Sequence, residues 1–544
     1  MPLGGLGEIG LNSMVLETGD DAVLVDCGLM FPQEQGLGVD VVVPDLTYLR
    51  GIPEKLRAVV LTHGHEDHIG AVPFVLKEHR VPVYGSRFTL ALLKGKLAEA
   101  GIEGDLRELP PGEKLELGHD FLVEGVPVTH SIPDGFGLGI DTPEGLVVHT
   151  GDFKIDHRPI DDRPTDLARF GALGKNGVLA LLSDSTNSER PGVSLSEAQV
   201  GLAFEQVFAR ARARVVVSTF ASNIHRIQQV LDASRRFGRK VVLVGRSMNE
   251  NVRLAHELGF LEVPLGLVVD LDEGKKLRHD QVTVLSTGAQ GEPRAALVRM
   301  ATGDPSAPFP IDEGDLVALS SRYIPGNEVA IGHMVNHLVR RGAEVLYESA
   351  EEIHASGHAC REEQRLMLRL VQPKHFVPIH GEYRHLARHA KTAQETGLAE
   401  RACHLLLDGD VLQFEGGRAW TNGTAPSGRV YVESRAGPDV PALVLRERSL
   451  LAETGLAIVV LVIDKKSGEV VRGPELTARG LALPDEAALL PELRREVLNT
   501  LATLAPGTRA DAGAVQEEVR RAVRRVFKRL ASKPPVVLPV VIEL

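Results

Sequence analysis

The sequence predicts a multidomain α/β protein, and three observations carry that prediction. The first third consists of short runs rich in Val and Leu, closed by Gly, Pro or Asp, with helix-like stretches between them. From Glu197 onward, helix-like and apolar segments alternate regularly, the pattern of a parallel, doubly wound sheet. The chain has 544 residues, enough at about 150 per domain for three to four domains.

In order, the first domain's strands are expected at Ser13–Leu16, Ala22–Asp26, Ala58–Thr62, Phe121–Thr129, Leu146–Thr150 and Val178–Ser183, with helices over Ile69–His79 and Phe88–Ala100. In the second, helices are expected over Glu197–Arg212, Arg226–Phe237 and Val329–Arg341. Its strands are expected at Val215–Ser218, Val241–Val244, Val282–Leu285, Leu316–Ser320 and Glu344–Tyr347. Arg365–Glu382 returns to the style of the first domain, so 197–353 reads as an insertion between 1–196 and 354–415. The Gly-, Thr- and Ser-containing stretch after Glu415 reads as a linker, 416–440. A carboxy-terminal α/β domain, 441–544, follows, with a strand at Ile458–Asp464, helices over Glu486–Leu504 and Ala514–Ser532, and a last strand at Val536–Ile542.

Composition narrows the function. Hydrophobic residues at 43% and charged residues at 25% are globular values, so several cores can be buried. The formal charge of −12 excludes a nucleic-acid binder held by global basicity; any anion site must be local. Cys27, Cys360 and Cys403 are too few and scattered for a disulfide frame or a thiolate zinc cluster, which points to a reducing, cytoplasmic compartment. No apolar run reaches about 18 residues and no charged-then-apolar leader opens the chain, so neither a membrane span nor a signal peptide is expected. The basic run Arg520, Arg521, Arg524, Arg525, Lys528 and Arg529 follows Glu517 and Glu518 at helical spacing; it reads as a solvated helix face or as a contact for an anionic polymer.

Twenty histidines stand beside a single Trp420, and their placement is the strongest signal. His63-Gly64-His65-Glu66-Asp67-His68 follows an apolar run directly and precedes a helix-like segment. Four potential ligands in six residues do not suit core filling, where they would be buried without partners. Imidazole and carboxylate without thiolate favour zinc or manganese. His63 and His65, two apart on extended backbone, can face one cation; Asp67 and His68 point to a neighbouring one. His130, Asp152 and His380 each stand just beyond the carboxyl end of an apparent strand, where open α/β sheets place their sites. Two ions about 3.5–4 Å apart, bridged by a carboxylate such as Asp152, lower the pKa of a shared water and clamp an in-line displacement at phosphorus. A hydrolase follows. Glu66 reads as a supporting or exposed residue and His149 as structural.

These residues resemble the metallo-β-lactamase fold, whose pattern is H-x-H-x-D-H with later His, Asp and His ligands; Val23–Cys27 matches its first motif, in which Asp26 orients the metal loop without ligating. The resemblance implies an αββα sandwich over 1–196 and 354–415. The segments Ser183-Asp184-Ser185-Thr186-Asn187 and His354-Ala355-Ser356-Gly357-His358 are similar to motifs of its β-CASP subgroup, which acts on nucleic acids. That implies that Asp184 and His358 pair and that His358 assists the leaving oxygen.

Strand ends of the inserted domain carry Ser222, Asn223, His225 and Arg226, Gly245-Arg246-Ser247, Ser286-Thr287-Gly288 and Ser320-Ser321-Arg322, turns suited to seating phosphate. The whole chain resembles the ribonuclease J family through Gly4–Gly10, Thr219–Arg226, Gly288–Glu292 and Pro325-Gly326-Asn327.

By that resemblance the protein is a two-metal hydrolase of single-stranded RNA in degradation and maturation of rRNA and mRNA. It cuts 5′ to 3′ from a monophosphate end and also internally, with Asp67 taking part in catalysis. Ser222, Asn223, His225, His354, Ala355, Ser356, Gly357 and His358 hold the terminal nucleotide. Further implications are a structural cation near Asp40 and Glu433 (Glu where Asp is usual), a homodimer through the carboxy-terminal domain or a tetramer, and membership of an RNA-degradation complex. Family chains usually begin before the Gly-Gly segment, often with a basic arm; this one starts at Met1-Pro2-Leu3, with the arm lost or the sequence truncated. Alternatives are a DNA-processing nuclease of the same subgroup, a small thioester or lactam hydrolase, a flavodiiron-type oxidoreductase, in which Glu usually replaces His65, and a non-catalytic RNA-binding subunit.

Overall fold

The computed structural model describes residues 1–32, 38–324, 326–347, 353–433, 439–481, 486–530 and 533–544, the side chains of 486–488 and 530 aside. Pro325, part of the expected linker (434–438) and the expected helix end at Ser532 lie outside the described residues. Those up to 433, apart from 38–39, form one compact unit; 38–39 with those from 439 onward form another.

In the first unit two six-stranded sheets lie face to face. One runs in the order Pro2–Gly4, Ser13–Glu17, Ala22–Val25, Leu56–Val60, Val83–Gly85, Leu106–Glu108. The other runs His375–Ile379, Val178–Asp184, Gly145–His149, Gly135–Thr142, Phe121–Val128, Lys114–Leu117. Val23, Val25, Ala58 and Val60 of the first sheet share one buried cluster with Phe136, Leu138, Ala180, Leu182 and Val377 of the second. Strand alternation sends Leu24, Val59 and Leu61 outward against the helices Val72–Glu78 and Arg87–Ala100. On the far side Leu181 and Phe376 meet Phe170, Met367 and Leu368 of Leu167–Lys175 and Arg361–Val371. This is the αββα sandwich. The strand Gly135–Thr142 had no counterpart in the sequence reading, because Gly135, Gly137 and Gly139 interrupt its apolar pattern.

An all-parallel sheet fills the interval between Val178–Asp184 and the return of the chain at Arg361–Val371 and His375–Ile379. Its order is Val268–Val269, Lys240–Val244, Val282–Ser286, Val215–Ser218, Leu316–Leu319, Glu344–Leu346. Glu197–Arg210, Ile224–Arg236 and Arg246–Glu257 cover one face through Phe204, Ile227 and Met248. Ala296–Thr302 and Glu328–Arg340 cover the other through Met300 and Met334. With both faces covered, its strands are continuous Val/Leu runs, as parallel sheets require.

Part of the expected linker is strand. Arg418–Thr424 pairs with Asp410–Glu415, and Arg429–Val432 pairs antiparallel with Val41–Pro44. The polar, glycine-containing composition that suggested a linker belongs to an exposed hairpin edge, whose Arg418–Thr424 strand has mostly exposed side chains.

The second unit is a three-stranded sheet, Val470–Arg479, Leu456–Ile463, Val536–Glu543, with helices Ala442–Thr454, Glu486–Thr503 and Ala512–Leu530. Val459 and Leu461 pack on Leu493, Val497, Val523 and Phe527. On Ala512–Leu530, Arg520 and Arg521 pair with Glu517, Arg521 also with Glu518, Arg525 with Glu496 and Arg529 with Glu492, so its basic run is largely an ion-paired helix surface.

Candidate metal centre and active site

Strand direction assembles the site. In the second sheet Phe121–Val128, Gly145–His149, Val178–Asp184 and His375–Ile379 all run the same way, so His130, Asp152, Asp184 and His380 emerge at one edge. From the facing sheet Leu56–Val60 ends just before His63, and His65 caps the short helix Glu66–Ile69. Gly151 lets the chain reach Asp152: it sits at φ +58°, and a Cβ there would lie 2.3 Å from the Phe136 carbonyl oxygen.

Three imidazoles converge. His63 Nε2 lies 3.0 Å from His65 Nδ1, which is 3.2 Å from His130 Nε2. Burial holds all three well below the usual imidazole range, with neighbouring histidines adding to the effect, and His130 falls to about 3. Neutral rings with nitrogens this close present converging lone pairs, which a divalent cation fits. A second group is Asp67, His68 and His380, with Asp67 Oδ2 3.7 Å from His68 Nε2 and 3.8 Å from His380 Nε2. Asp152 Oδ2 stands between the groups, 3.7 and 3.8 Å from His63 and His130 and 3.3 and 3.1 Å from His68 and His380. Burial alone would raise the Asp152 carboxyl, but His380, His68 and His63 more than reverse this and hold it well below the carboxylate range. All seven donors named from sequence therefore meet at one place, in sets suited to two cations.

The supporting residues fix ring orientation. Asp26 accepts from the Thr62 backbone N–H (2.8 Å), the Thr62 hydroxyl (2.7 Å) and His68 Nδ1 (2.8 Å), which leaves His68 Nε2 facing the centre. His130 Nδ1 donates to the Gly357 carbonyl at 2.7 Å. Asp26 and His380 sit at φ +58° and +54°, conformations that cost non-glycine residues about 1–3 kcal/mol and cluster at functional sites. His149, read as structural, accepts from the Gly151 N–H at 3.0 Å. Glu66 is paired with Lys96. Asn12, which sequence reading missed, places its amide 3.1 Å from the Asp67 carbonyl and 3.0 Å from His68 Nε2. Its only local sign was a polar residue after Leu11, itself at positive φ.

Beside the centre, His358 Nδ1 lies 2.8 Å from Asp184 Oδ2. Burial raises Asp184, but the neighbouring His358 outweighs it, so the carboxylate stays ionised and His358 Nδ1 is the donor.

The expected phosphate seat is arranged differently residue by residue. Asn223 caps Ile224–Arg236 by accepting from the Arg226 N–H, and His225 pairs with Asp161 at 3.0 Å. Ala355 is buried in the inserted domain's core. Ser356 Oγ accepts from Asn187 at 2.8 Å, and Gly357 is pressed on His130, where a Cβ would lie 2.6 Å from the ring. His225 Nδ1 and His354 Nδ1 are buried with no hydrogen-bond partner among the described residues. Ser222 is half-buried in the turn before this helix. Asp40 and Glu433 are neighbours across a strand edge, where the Asp40 N–H donates to the Val432 carbonyl; no third donor joins them among the described residues.

Four family models match in succession: the metallo-beta-lactamase superfamily at 6–183, the ribonuclease J beta-CASP domain at 212–338, the Zn-dependent metallo-hydrolase RNA specificity domain at 342–403, and the ribonuclease J C-terminal domain at 443–544. Ribonuclease J of Thermus thermophilus is 41% identical over 555 residues, covering 100% of this chain and 95% of that one. The chain belongs to the ribonuclease J family. Other members similar to it are ribonuclease J2 of Bacillus subtilis, at 37% identity with 100% and 98% coverage, and ribonuclease J of Helicobacter pylori, at 38% with 98% and 78%. A solved structure described as a protein of unknown function from Enterococcus faecalis V583 shares the fold at TM-score 0.52 and 17% identity, over 77% of this chain and 99% of that one.

Proposed function

We propose that this member of the ribonuclease J family is a metal-dependent ribonuclease that degrades RNA 5′ to 3′ from a 5′-monophosphate end and also cuts internally. The observation that carries the reading is the pair of donor sets around Asp152 Oδ2 with the Asp184–His358 pair alongside. His63, His65 and His130 would hold one divalent cation and Asp67, His68 and His380 the other, with Asp152 shared. Zinc and manganese both suit these ligands. Bound there, such ions supply an ionised water at neutral pH and neutralise charge on the phosphodiester.

His358 carries the departing group's proton. Asp184 accepts from Nδ1 and fixes the ring, which leaves Nε2 to deliver a proton to the 3′-oxygen as the P–O bond breaks. The turn at Ser222 and Asn223 with the buried nitrogens of His225 and His354 is the seat for the terminal phosphate, and helix Ile224–Arg236 contributes its N-terminus. Single-stranded RNA is the substrate class, cytoplasmic rRNA and mRNA maturation and decay its setting. The carboxy-terminal domain serves homodimer or tetramer formation, with recruitment to a degradation complex.

The deciding experiment compares 5′-monophosphate and 5′-triphosphate RNA, and DNA of the same sequence, with wild type and His65→Ala. Mononucleotides released from the monophosphate RNA by wild type alone are expected. A mutant as active as wild type overturns the metal assignment. Absence of mononucleotides removes the exonuclease reading, and equal cutting of DNA moves the substrate class.

A further inference from the structure

We infer that Asn187 and Arg322 are positioning residues, through which the inserted domain holds the His358 segment against Asp184 and the metal centre. The inference rests on the proposed role of His358 as the acid for the leaving oxygen. Asn187, 1% exposed, lies in the turn after Val178–Asp184. Both protons of its amide go to the segment in question, to Ser356 Oγ at 2.8 Å and the His358 carbonyl at 2.9 Å. Its Oδ1 accepts from Arg322 Nη1. A guanidinium cannot accept, so Arg322 fixes which way the amide faces and hence that both donors reach the segment. Ser356 Oγ in turn accepts from the His358 N–H at 3.3 Å.

The other end of the segment is tied to the same strand end of the inserted sheet. Leu316–Leu319 is followed by Ser320, whose hydroxyl donates to the Ile353 carbonyl at 2.6 Å, and then by Ser321 and Arg322. Arg226, fully buried, donates to the same carbonyl at 2.6 Å and is held by Glu197 at 2.9 Å and Gln229 at 2.8 Å. Between these anchors lie the two contacts that matter to chemistry, Gly357 carbonyl to His130 and His358 to Asp184. A shift of the segment is therefore transmitted to the acid, and misplacement of about 1 Å can cost about 10²-fold.

The test uses RNA in which the 3′-oxygen of one scissile bond is replaced by sulfur, a group that leaves as thiolate without protonation. On ordinary RNA, Arg322→Ala and Asn187→Asp are expected to lower kcat about 10- to 100-fold at unchanged KM, part of the ~10²–10⁴ that a positioned acid contributes. On the sulfur linkage both are expected to run within a few-fold of wild type, and Arg322→Lys is expected to recover most of the loss on ordinary RNA. His358→Ala is the reference. If sulfur does not rescue it, the acid reading itself fails. If sulfur rescues His358→Ala but neither Arg322→Ala nor Asn187→Asp, the positioning inference is overturned, as it is if Arg322→Ala raises KM with kcat intact, the result for a phosphate contact. Should Asn187→Asp not fold, the Arg322 pair, changed at a half-buried side chain, decides alone.

Discussion

Individual side chains set both the chemistry and the cost of this site. Asp26 touches no substrate, yet it holds Thr62 and His68 through three hydrogen bonds. Asp26→Asn keeps the shape and removes the charge that orients His68, so cation affinity in a zinc or manganese titration is expected to fall about 10- to 100-fold. A second buried group, Glu197, answers to pH. Burial raises its carboxyl, but Arg226 and Lys154 outweigh burial and bring it from 4.5 to about 2. Because the folded value lies below the unfolded one, the unfolded chain takes up the proton first. Stability is thus full above about 4.5 and is lost as pH falls toward about 2. Glu197→Gln is expected to cost about 3–5 kcal/mol at pH 7, by leaving Arg226 and Lys154 under-compensated, and to flatten that acid limb in urea titrations. A wild-type acid limb in the mutant would refute the assignment. At this scale the sequence was legible where ligands cluster, as in His63–His68, or recur at strand ends, as His130, Asp152 and His380 do. Asn12 was not legible, because a single amide has no pattern of its own and its partner His68 lies 56 residues on. Asn187 and Arg322 stood out only as members of the Ser183–Asn187 motif and the Ser320–Arg322 turn; that they meet each other, 135 residues apart, had no sign in the sequence.

Elements carry the site by their direction and spacing. The helices Leu167–Lys175 and Arg361–Val371 meet at Gly174, where a Cβ would stand 2.1 Å from the Leu370 carbonyl oxygen. Gly174→Val is expected to force these helices apart and lower stability by about 1–3 kcal/mol, read as a shifted urea midpoint with an unchanged slope. An unshifted midpoint would show the contact to be loose. Strands buried on both faces, such as Val215–Ser218, announced themselves as unbroken apolar runs. Gly135–Thr142 did not, since a strand whose glycines admit Phe170 and the carbonyls of His149 and Thr150 loses the alternation that identifies it. Arg429–Val432 read as linker because an edge strand needs only a partner backbone, here Val41–Pro44, and not an apolar pattern.

For the whole molecule, the hydrophobic clusters are apolar and the candidate cation ligands gather at one edge of the sandwich, from both sheets, so fold and metal loading are expected to be separable. A chelator is expected to abolish RNA cleavage while the far-UV circular dichroism persists. Stability should fall by about 2.7 kcal/mol for each site that had been loaded at about 100 times its Kd, and zinc or manganese should restore activity. Unfolding on chelation would instead make the cations part of the fold. By itself the sequence determined the α/β class, the inserted parallel sheet and the residues that meet at the candidate metal centre, because burial periodicity and dense ligand spacing are local properties of the chain. Only the tertiary structure decided which donors share a centre, that Asp152 stands between both sets, and that Asn187 and Arg322 bind the inserted domain to the His358 segment. Those facts depend on distances between residues remote in sequence, which parallel strand order and sheet packing bring together and which no local pattern encodes.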